Sequence, residues 1–160
     1  MYRMYVNDIF RYLYRLTRDV GQAEDLTQET FFRAYLALDD YRGEKVRPWL
    51  FKVAYHAFVD WHRRRIKSPL QLTGWLPEQA DRHAQDPQDA LVSKEQMDTA
   101  ILYLESLPEL QRQCVVLSAM HLSYAEIAEV LAVETTDVKR ALFRGRQKLR
   151  KIKERDRDDE

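Results

Sequence analysis

Apolar residues recur along the chain at intervals of three and four positions, and no stretch of useful length alternates with period two, so the pattern predicts helices. The first predicted helix covers residues 2–17 and the second covers residues 22–38. After a turn-rich loop, Pro48 suits the first turn of a third helix over residues 48–67. The expected inward positions of these helices are Val6, Ile9, Leu13 and Leu16, then Phe31, Ala34, Tyr35 and Leu38, then Leu50, Val53, Ala54, Ala57, Phe58 and Trp61.

A second group of helical signals occupies the last part of the chain. Capping-box pairs at Ser93 with Gln96 and at Ser123 with Glu126 each predict a helix start. Pro108 opens a further helix to Met120, and a basic helix follows over residues 135–153. The expected inward positions are Leu110, Cys114 and Leu117, then Ile127, Ala128 and Leu131, then Val138, Leu142, Leu149 and Ile152.

Residues 68–92 separate these two groups and carry three of the five prolines. Their Pro, Gly, Gln and Asp content is typical of a linker, although four large apolar residues interrupt it. The sequence therefore predicts an all-α protein with an N-terminal helical bundle over residues 1–67. A C-terminal helix-turn-helix domain over residues 93–155 follows the linker, and residues 156–160 form an acidic tail.

The formal net charge is zero, with 26 basic and 26 acidic residues, yet the charges are segregated. Residues 138–153 hold eight basic side chains and no acidic one, and residues 62–67, HRRRIK, form a second basic cluster. Acidic residues gather at Asp19, Glu24, Asp25 and Glu29 and in the tail. Zero net charge argues against a histone-like DNA coat, whereas the segregation indicates at least two kinds of partner.

Several classes of protein do not fit the sequence. The apolar runs are too short to cross a bilayer, and the N-terminus lacks the pattern of a signal peptide. The single cysteine, Cys114, cannot form an internal disulfide, which favours a cytoplasmic protein with a buried thiol. The four histidines have no metal-site spacing, and no phosphate-binding glycine loop or nucleophile elbow is present. We expect no catalytic site, metal or cofactor.

Residues 122–150 read LSYAEIAEVLAVETTDVKRALFRGRQKLR, which is a short helix, a turn and a longer basic helix. This arrangement predicts a helix-turn-helix, whose second helix enters the major groove of DNA. The candidate DNA-contacting residues are Thr135, Thr136, Lys139, Arg140, Phe143 and Arg144. Further basic residues are expected at the DNA backbone, namely Arg146, Lys148, Arg150 and Lys151. A solvated basic helix at the end of a bundle is the alternative.

Three motifs together resemble a known family. The stretch above looks like the C-terminal DNA-binding region of bacterial RNA polymerase sigma factors of the sigma-70 family. AEDLTQETFFRAY, residues 23–35, resembles the polymerase-binding helix of the extracytoplasmic-function (ECF) group. YRGEKVRPWLFKVAYHAFVDWHRRR, residues 41–65, is similar to the promoter −10 region of that group. The helix-turn-helix alone would also fit response-regulator output domains.

The resemblance implies a non-catalytic specificity subunit that directs core RNA polymerase to promoters. Its implied partners are the clamp of the largest polymerase subunit, the flap of the second largest subunit and promoter DNA. Family members are commonly held inactive by an anti-sigma factor, often one anchored in the membrane. The residues implied in polymerase binding are Asp25, Gln28, Glu29 and Arg33.

The resemblance also implies a −10 site, where a base extruded from opened DNA is captured and neighbouring bases stack on aromatic rings. The candidate residues are Arg42, Gly43, Lys45, Lys52, Tyr55, His56, Arg63, Arg64 and Arg65. Four aromatic side chains nearby can serve either as core or as base platforms, namely Trp49, Phe51, Phe58 and Trp61. Many relatives have Asn at the position of His56 and a small residue at that of Arg140, so base preferences can differ here.

Three other functions compete with this interpretation. An enzyme has no supporting motif in the sequence. A one-domain transcription regulator would leave residues 23–35 and the second basic cluster unexplained. A protein-binding adaptor would leave the basic helix unexplained. Association with core RNA polymerase distinguishes a sigma factor from all three.

Overall fold

The computed structural model of the chain describes residues 2–43, 45–67 and 102–158, and every regular element within them is helical. The chain divides into two compact units, Met1–Asp86 and Pro87–Glu160. The predicted linker and the capping box at Ser93 lie outside the described residues. The helices are α1 (Tyr2–Thr17), α2 (Val20–Leu36), α3 (Val46–Lys67), α4 (Glu109–Ala119), α5 (Tyr124–Leu131) and α6 (Thr135–Asp158), with a short 3-10 helix at Leu38–Asp40.

The first unit is a bundle in which α1, α2 and α3 all contact one another. Ile9, Leu13 and Leu50 are fully buried at its centre, as the sequence predicts. Tyr12 packs its ring edge-on against Phe51, with 5.3 Å between the ring centroids. Burial, with a smaller effect from Tyr55, raises the pKa of the Tyr12 phenol well above its ordinary value. Each large apolar side chain buried in this way contributes about 1.5–3 kcal/mol to stability.

The inward face of α2 differs from the predicted one. Phe31 and Ala34 are buried as expected, but Tyr35 is 71% exposed and Leu38 is 42% exposed, so the prediction for these two residues was wrong. The buried stripe of α2 runs through Ala23, Leu26, Thr27 and Thr30 to Phe31 and Ala34, and Leu38 lies beyond the end of the helix. Threonine fits there because each buried hydroxyl donates to a backbone carbonyl of its own helix, at 2.6 Å and 2.7 Å.

The second unit is built from α4, α5 and α6, and residues 102–105 are also helical. The predicted inward residues Cys114, Leu117, Ile127, Ala128, Leu131, Val138 and Leu142 are buried. Leu110 is 39% exposed in the first turn of α4, against expectation, and Leu149 and Ile152 are half-buried. Helix α6 continues past its predicted end to Asp158, and the Tyr103 hydroxyl donates to Asp156 there.

The helices of the second unit begin and end on local hydrogen bonds. Ser123 and Glu126 form the predicted reciprocal capping box of α5. Two helices end on non-glycine residues in the left-handed region, α4 at His121 (φ 67°) and α5 at Ala132 (φ 55°). In each case the next amide closes a Schellman bond, from Leu122 to Leu117 at 3.3 Å and from Val133 to Ala128 at 3.1 Å.

Among the described residues, no helix is long and apolar enough to span a membrane. Within the same ranges, no group of three or more His, Cys, Asp or Glu side chains is arranged to hold a metal ion.

Candidate nucleic-acid interfaces

The turn between α5 and α6 has the geometry of a helix-turn-helix. Ala132 reverses the chain in the left-handed conformation, and α6 begins at Thr135. The backbone N–H of Glu134 donates to the Asp137 carboxylate at 3.2 Å, so this carboxylate caps the start of α6. Thr135 and Thr136 lie within the first turn of α6 with exposed side chains.

The outer face of α6 collects all six residues that the sequence predicts to contact duplex DNA. Thr135, Thr136, Lys139, Arg140, Phe143 and Arg144 are all exposed. At 100° per residue, these six positions cover about half of the helix circumference and about 13.5 Å of its length; Phe143 lies near the middle of that angular range and near the C-terminal end of that length. The opposite face is buried through Val138, Ala141, Leu142 and Gly145. A rigid, basic face of this size fits the major groove of B-DNA.

Two of the basic residues expected at the DNA backbone are directed toward their own unit. Arg146 donates from Nη2 to the Ser118 hydroxyl at 3.0 Å, and Lys148 donates from Nζ to the Ser106 carbonyl at 2.7 Å. These bonds connect the middle of α6 to the segments at both ends of α4. Arg150 and Lys151 are exposed, as a backbone contact requires.

In the first unit, the predicted polymerase-binding residues share one exposed face of α2. Asp25, Gln28 and Glu29 occupy neighbouring turns on this face. Arg33 lies one turn further on, but its guanidinium bonds to Glu29 and to Asp60 of α3, each at 2.9 Å. Partial burial by itself would lower the pKa of Arg33, but the hydrogen bonds to Glu29 and Asp60, together with the negative charges of these two carboxylates, more than offset it, so that the pKa is raised.

An apolar patch that the sequence analysis missed extends this face of α2. Phe32, Tyr35 and Leu36 lie at successive positions of one stripe, and each is more than 60% exposed. The signal was available, because α2 carries more large apolar residues than a single buried stripe can hold. Exposed patches of this kind often mark protein interfaces.

The loop before α3 holds the first group of candidate −10 residues. Arg42, Gly43 and Lys45 are all exposed. Gly43 has a φ of 78°, and a β-carbon added there would meet nothing within 4 Å. Glycine is therefore required by the backbone conformation and not by a lack of space. The start of the loop is held on α3 by the rings of Tyr41 and Trp49, whose centroids are 5.2 Å apart.

Along α3, the structure brings some of the predicted −10 residues together and separates others. Lys52, Tyr55, His56 and Arg63 fall within about 100° of one another around the helix. The remaining two arginines point elsewhere, because consecutive residues are 100° apart. Arg65 lies on another side, with its guanidinium carbon 5.1 Å from the centroid of the Trp61 ring.

The four uncertain aromatic residues fall into two classes. Phe51 and Phe58 are buried and belong to the core, whereas Trp49 and Trp61 are half-buried. The indole N–H of Trp61 donates to the side-chain carbonyl of Gln22 at 2.9 Å. Trp61 therefore connects α3 to α2, and the guanidinium of Arg65 lies over the Trp61 ring. The sequence alone predicted no role for Gln22 or for Asp60.

Two protein-family models match the chain, one on each unit. Residues 1–67 match Sigma-70 region 2, and residues 98–149 match Sigma-70, region 4. The ECF RNA polymerase sigma factor SigM of Bacillus subtilis (strain 168) is 36% identical over 164 residues, covering 100% of this chain and 97% of that protein. SigW of the same organism is 32% identical, covering 92% of this chain and 84% of that protein.

Solved structures give the same fold. The sigma factor RpoE in complex with the anti-sigma factor NepR, from Bartonella quintana, has a TM-score of 0.73 at 22% identity and covers 96% of this chain and 94% of that one. CnrH in complex with the cytosolic domain of CnrY has a TM-score of 0.72 at 22% identity, covering 97% of this chain and 86% of that one.

Proposed function

The chain belongs to the ECF group of the sigma-70 family, and we propose that it selects promoters through two DNA-binding surfaces while a third surface holds it on core RNA polymerase. It directs transcription initiation as a non-catalytic polymerase subunit. The division into two units gives each DNA-binding surface its own rigid support.

The second unit reads the −35 element as duplex DNA through the outer face of α6. Lys139, Arg140 and Arg144 bind base edges and phosphates, and Phe143 contacts a thymine methyl group. The amide groups and exposed hydroxyls at Thr135 and Thr136 bind a phosphate at the helix N-terminus. If about four phosphates are neutralised, the logarithm of the binding constant falls with the logarithm of the salt concentration with a slope of about −3.6.

The first unit captures the −10 element after the strands separate. Opening costs a few kcal/mol for each unstacked step, and stacking on aromatic rings returns about 1–3 kcal/mol for each base. The exposed loop at Gly43 lies just before the face of Lys52, Tyr55 and His56, which supports a pocket for one extruded base. Arg63 extends that face toward the neighbouring phosphates.

The exposed face of α2 binds the clamp of the largest polymerase subunit through Asp25, Gln28 and Glu29. These polar residues border the apolar patch of Phe32, Tyr35 and Leu36, a composition that suits a protein partner better than DNA. The acidic side chains would repel phosphate, which also favours a protein contact. The second unit contacts the flap of the second largest subunit.

We further propose an anti-sigma factor as a regulator of this chain in the cytoplasm. The solved structure of the sigma factor RpoE is a complex with the anti-sigma factor NepR, that of CnrH is a complex with the cytosolic domain of CnrY, and both RpoE and CnrH share the fold of this chain. A membrane anchor on the partner would hold the pair at the membrane.

The observation that carries the proposal is the exposed outer face of α6, which combines Lys139, Arg140 and Arg144 with Phe143, in a chain whose other unit matches a separate sigma region. The test is runoff transcription with core polymerase on a randomised promoter library. We expect transcripts to start only downstream of promoters that share two elements. Arg144→Ala should lose these transcripts yet keep polymerase binding, whereas Arg155→Ala, near the end of α6, should behave like the native chain.

Two outcomes would overturn the proposal. The purified chain could fail to associate with core polymerase, or it could associate without changing the start sites. Binding to duplex DNA in the absence of polymerase, with no effect on polymerase itself, would point to a one-domain regulator.

A further inference from the structure

Arg33 lies at the junction of the two functional helices of the first unit. Its Nε donates to Oε1 of Glu29 at 2.9 Å, one turn earlier on α2. Its Nη1 donates to Oδ2 of Asp60 on α3, also at 2.9 Å. Its side chain is 28% exposed, whereas those of Glu29 and Asp60 are 45% and 44% exposed. The arginine is thus the least accessible member of the group.

This arrangement changes what Arg33 can do on the polymerase-binding face. A guanidinium offers five N–H donors in a fixed plane, so two acidic partners on different edges also fix its orientation. A contact between Arg33 and an acidic group of a partner protein would compete with both of these bonds. Glu29, in contrast, still presents an exposed carboxylate.

The same junction carries a second connection between the helices. The residue after Asp60 on α3 is Trp61, whose indole N–H donates to Gln22 of α2 at 2.9 Å. Two adjacent residues of the −10 helix are therefore bonded to the polymerase-binding helix. Exposed ion pairs add little to stability, so the main effect of these bonds is on the relative orientation of the helices.

We propose that Arg33 is a positioning residue, with Asp60 as its partner, and that it does not contact polymerase itself. The pair holds the Glu29 carboxylate on the polymerase-binding face and fixes α3, which presents the −10 residues, against α2. This inference rests on the proposed function. It assigns Arg33 a different role from the direct contact that the family resemblance implied.

Exchanging the charges of Arg33 and Asp60 distinguishes a positioning role for Arg33 from a direct contact with polymerase. Arg33→Glu places three acidic groups together and should weaken binding to core polymerase by about tenfold or more, because like charges also repel at this spacing. Asp60→Arg should weaken it similarly. The double variant Arg33→Glu with Asp60→Arg restores an ion pair between the helices, and we expect its affinity to return to within about threefold of the native chain. Affinity is measured by fluorescence anisotropy of the labelled full chain.

Persistent weakness of the double variant, equal to that of Arg33→Glu alone, would overturn the inference, because an ion pair restored between the two helices would then not restore binding. The same variants are assayed for capture of a −10 single-stranded oligonucleotide by the holoenzyme. A positioning pair requires this activity to fall in both single variants and to recover in the double variant.

Two neutral substitutions, one of them a control, distinguish loss of the Arg33 pair from a general loss of folding. Asp60→Asn removes the charge of one partner of Arg33, and Asp8→Asn removes the charge of a partner of Arg47, in an ion pair of comparable exposure between α1 and α3. We expect Asp60→Asn to weaken polymerase binding by about twofold to fivefold and Asp8→Asn to leave it unchanged. Equal effects of the two would reject the inference, whereas failure of the native chain to bind polymerase would reject the proposed function itself.

Discussion

Gly145 of α6 lies so close to Val115 of α4 that a β-carbon on the glycine would stand 3.1 Å from Cγ2 of the valine. The same β-carbon would be 3.5 Å from Cβ of Gln111. The backbone of α6 therefore rests almost directly on the side chains of α4. The distance between these helices, and with it the presentation of the face around Phe143, depends on the lack of a side chain at this position.

Two substitutions of Gly145 should distinguish the effect of helix propensity on the free energy of unfolding from the effect of packing against α4. Gly145→Ala gains up to about 1 kcal/mol of helix propensity, which offsets the crowding, so we expect the free energy of unfolding to change by less than about 1 kcal/mol. Gly145→Leu should lower it by about 1–3 kcal/mol through overpacking. Urea denaturation followed by circular dichroism measures both, and an unchanged stability of Gly145→Leu would contradict the close packing.

Ala132 ends α5 in a conformation that glycine adopts more readily. We expect Ala132→Gly to raise the free energy of unfolding of the second unit by about 0.5–1 kcal/mol, because it relieves the left-handed strain of a residue with a β-carbon. Ala125→Gly, at an exposed position within the same helix, is the control and should lower stability by up to about 1 kcal/mol. If both substitutions destabilise the unit in thermal unfolding, the left-handed strain at Ala132 is refuted.

Phe143 and Arg144 should affect −35 binding in different ways. Phe143→Ala removes a contact with a base and should weaken binding to a −35 duplex by about 1–3 kcal/mol without changing the salt dependence. Arg144→Ala, if it removes a phosphate contact, should reduce the magnitude of the salt slope by about 0.9. Fluorescence anisotropy titrations at several salt concentrations test this, and equal slopes for both variants would assign Arg144 to base contacts alone.

Cys114 provides a test of burial in the second unit. Burial raises the pKa of its thiol to about 11. Compared with an ordinary cysteine whose pKa is near 9, this leaves about a hundredfold less thiolate at pH 8, so labelling should be at least that much slower in the native chain than in urea. The chain has a single cysteine, so the signal is unambiguous, and Cys114→Ala should give none.

The same pKa shift has a consequence for stability. The folded state holds the Cys114 proton more tightly than the unfolded state does. The stabilisation that results from this difference is therefore fully present below the pKa of the unfolded state, near 9. The free energy of unfolding of the second unit should fall as the pH rises from about 9 toward 11. Cys114→Ala should reduce this dependence, and an identical pH profile in the variant would contradict the shift.

Much of the fold could be predicted because the signals for each helix are local. The capping box of Ser123 with Glu126, and the apolar stripe from Ile127 to Leu131, are decided by residues within a few positions of one another. The basic outer face of α6 followed from the same argument, because a helix that buries Val138 and Leu142 must expose Lys139 and Arg140.

The errors arose where a buried position does not need an apolar side chain. In α2, Thr27 and Thr30 are buried and their hydroxyls bond to carbonyls of their own helix, whereas Tyr35 and, beyond the end of α2, Leu38 lie at the surface. A rule that counts only apolar residues places the buried stripe at the wrong angle. Lys148 was likewise assigned to DNA, although it bonds to a backbone carbonyl 42 residues earlier in the chain.

The sequence by itself determined that the chain is helical, where most helices begin, and which chemical groups line the outer face of α6. Only the tertiary structure decided that Arg33 bonds to Asp60, 27 residues away, and that Gly145 packs against Val115. The physical reason is that helix periodicity and capping depend on near neighbours. Which distant side chain reaches a given charge or gap depends instead on how the completed helices pack.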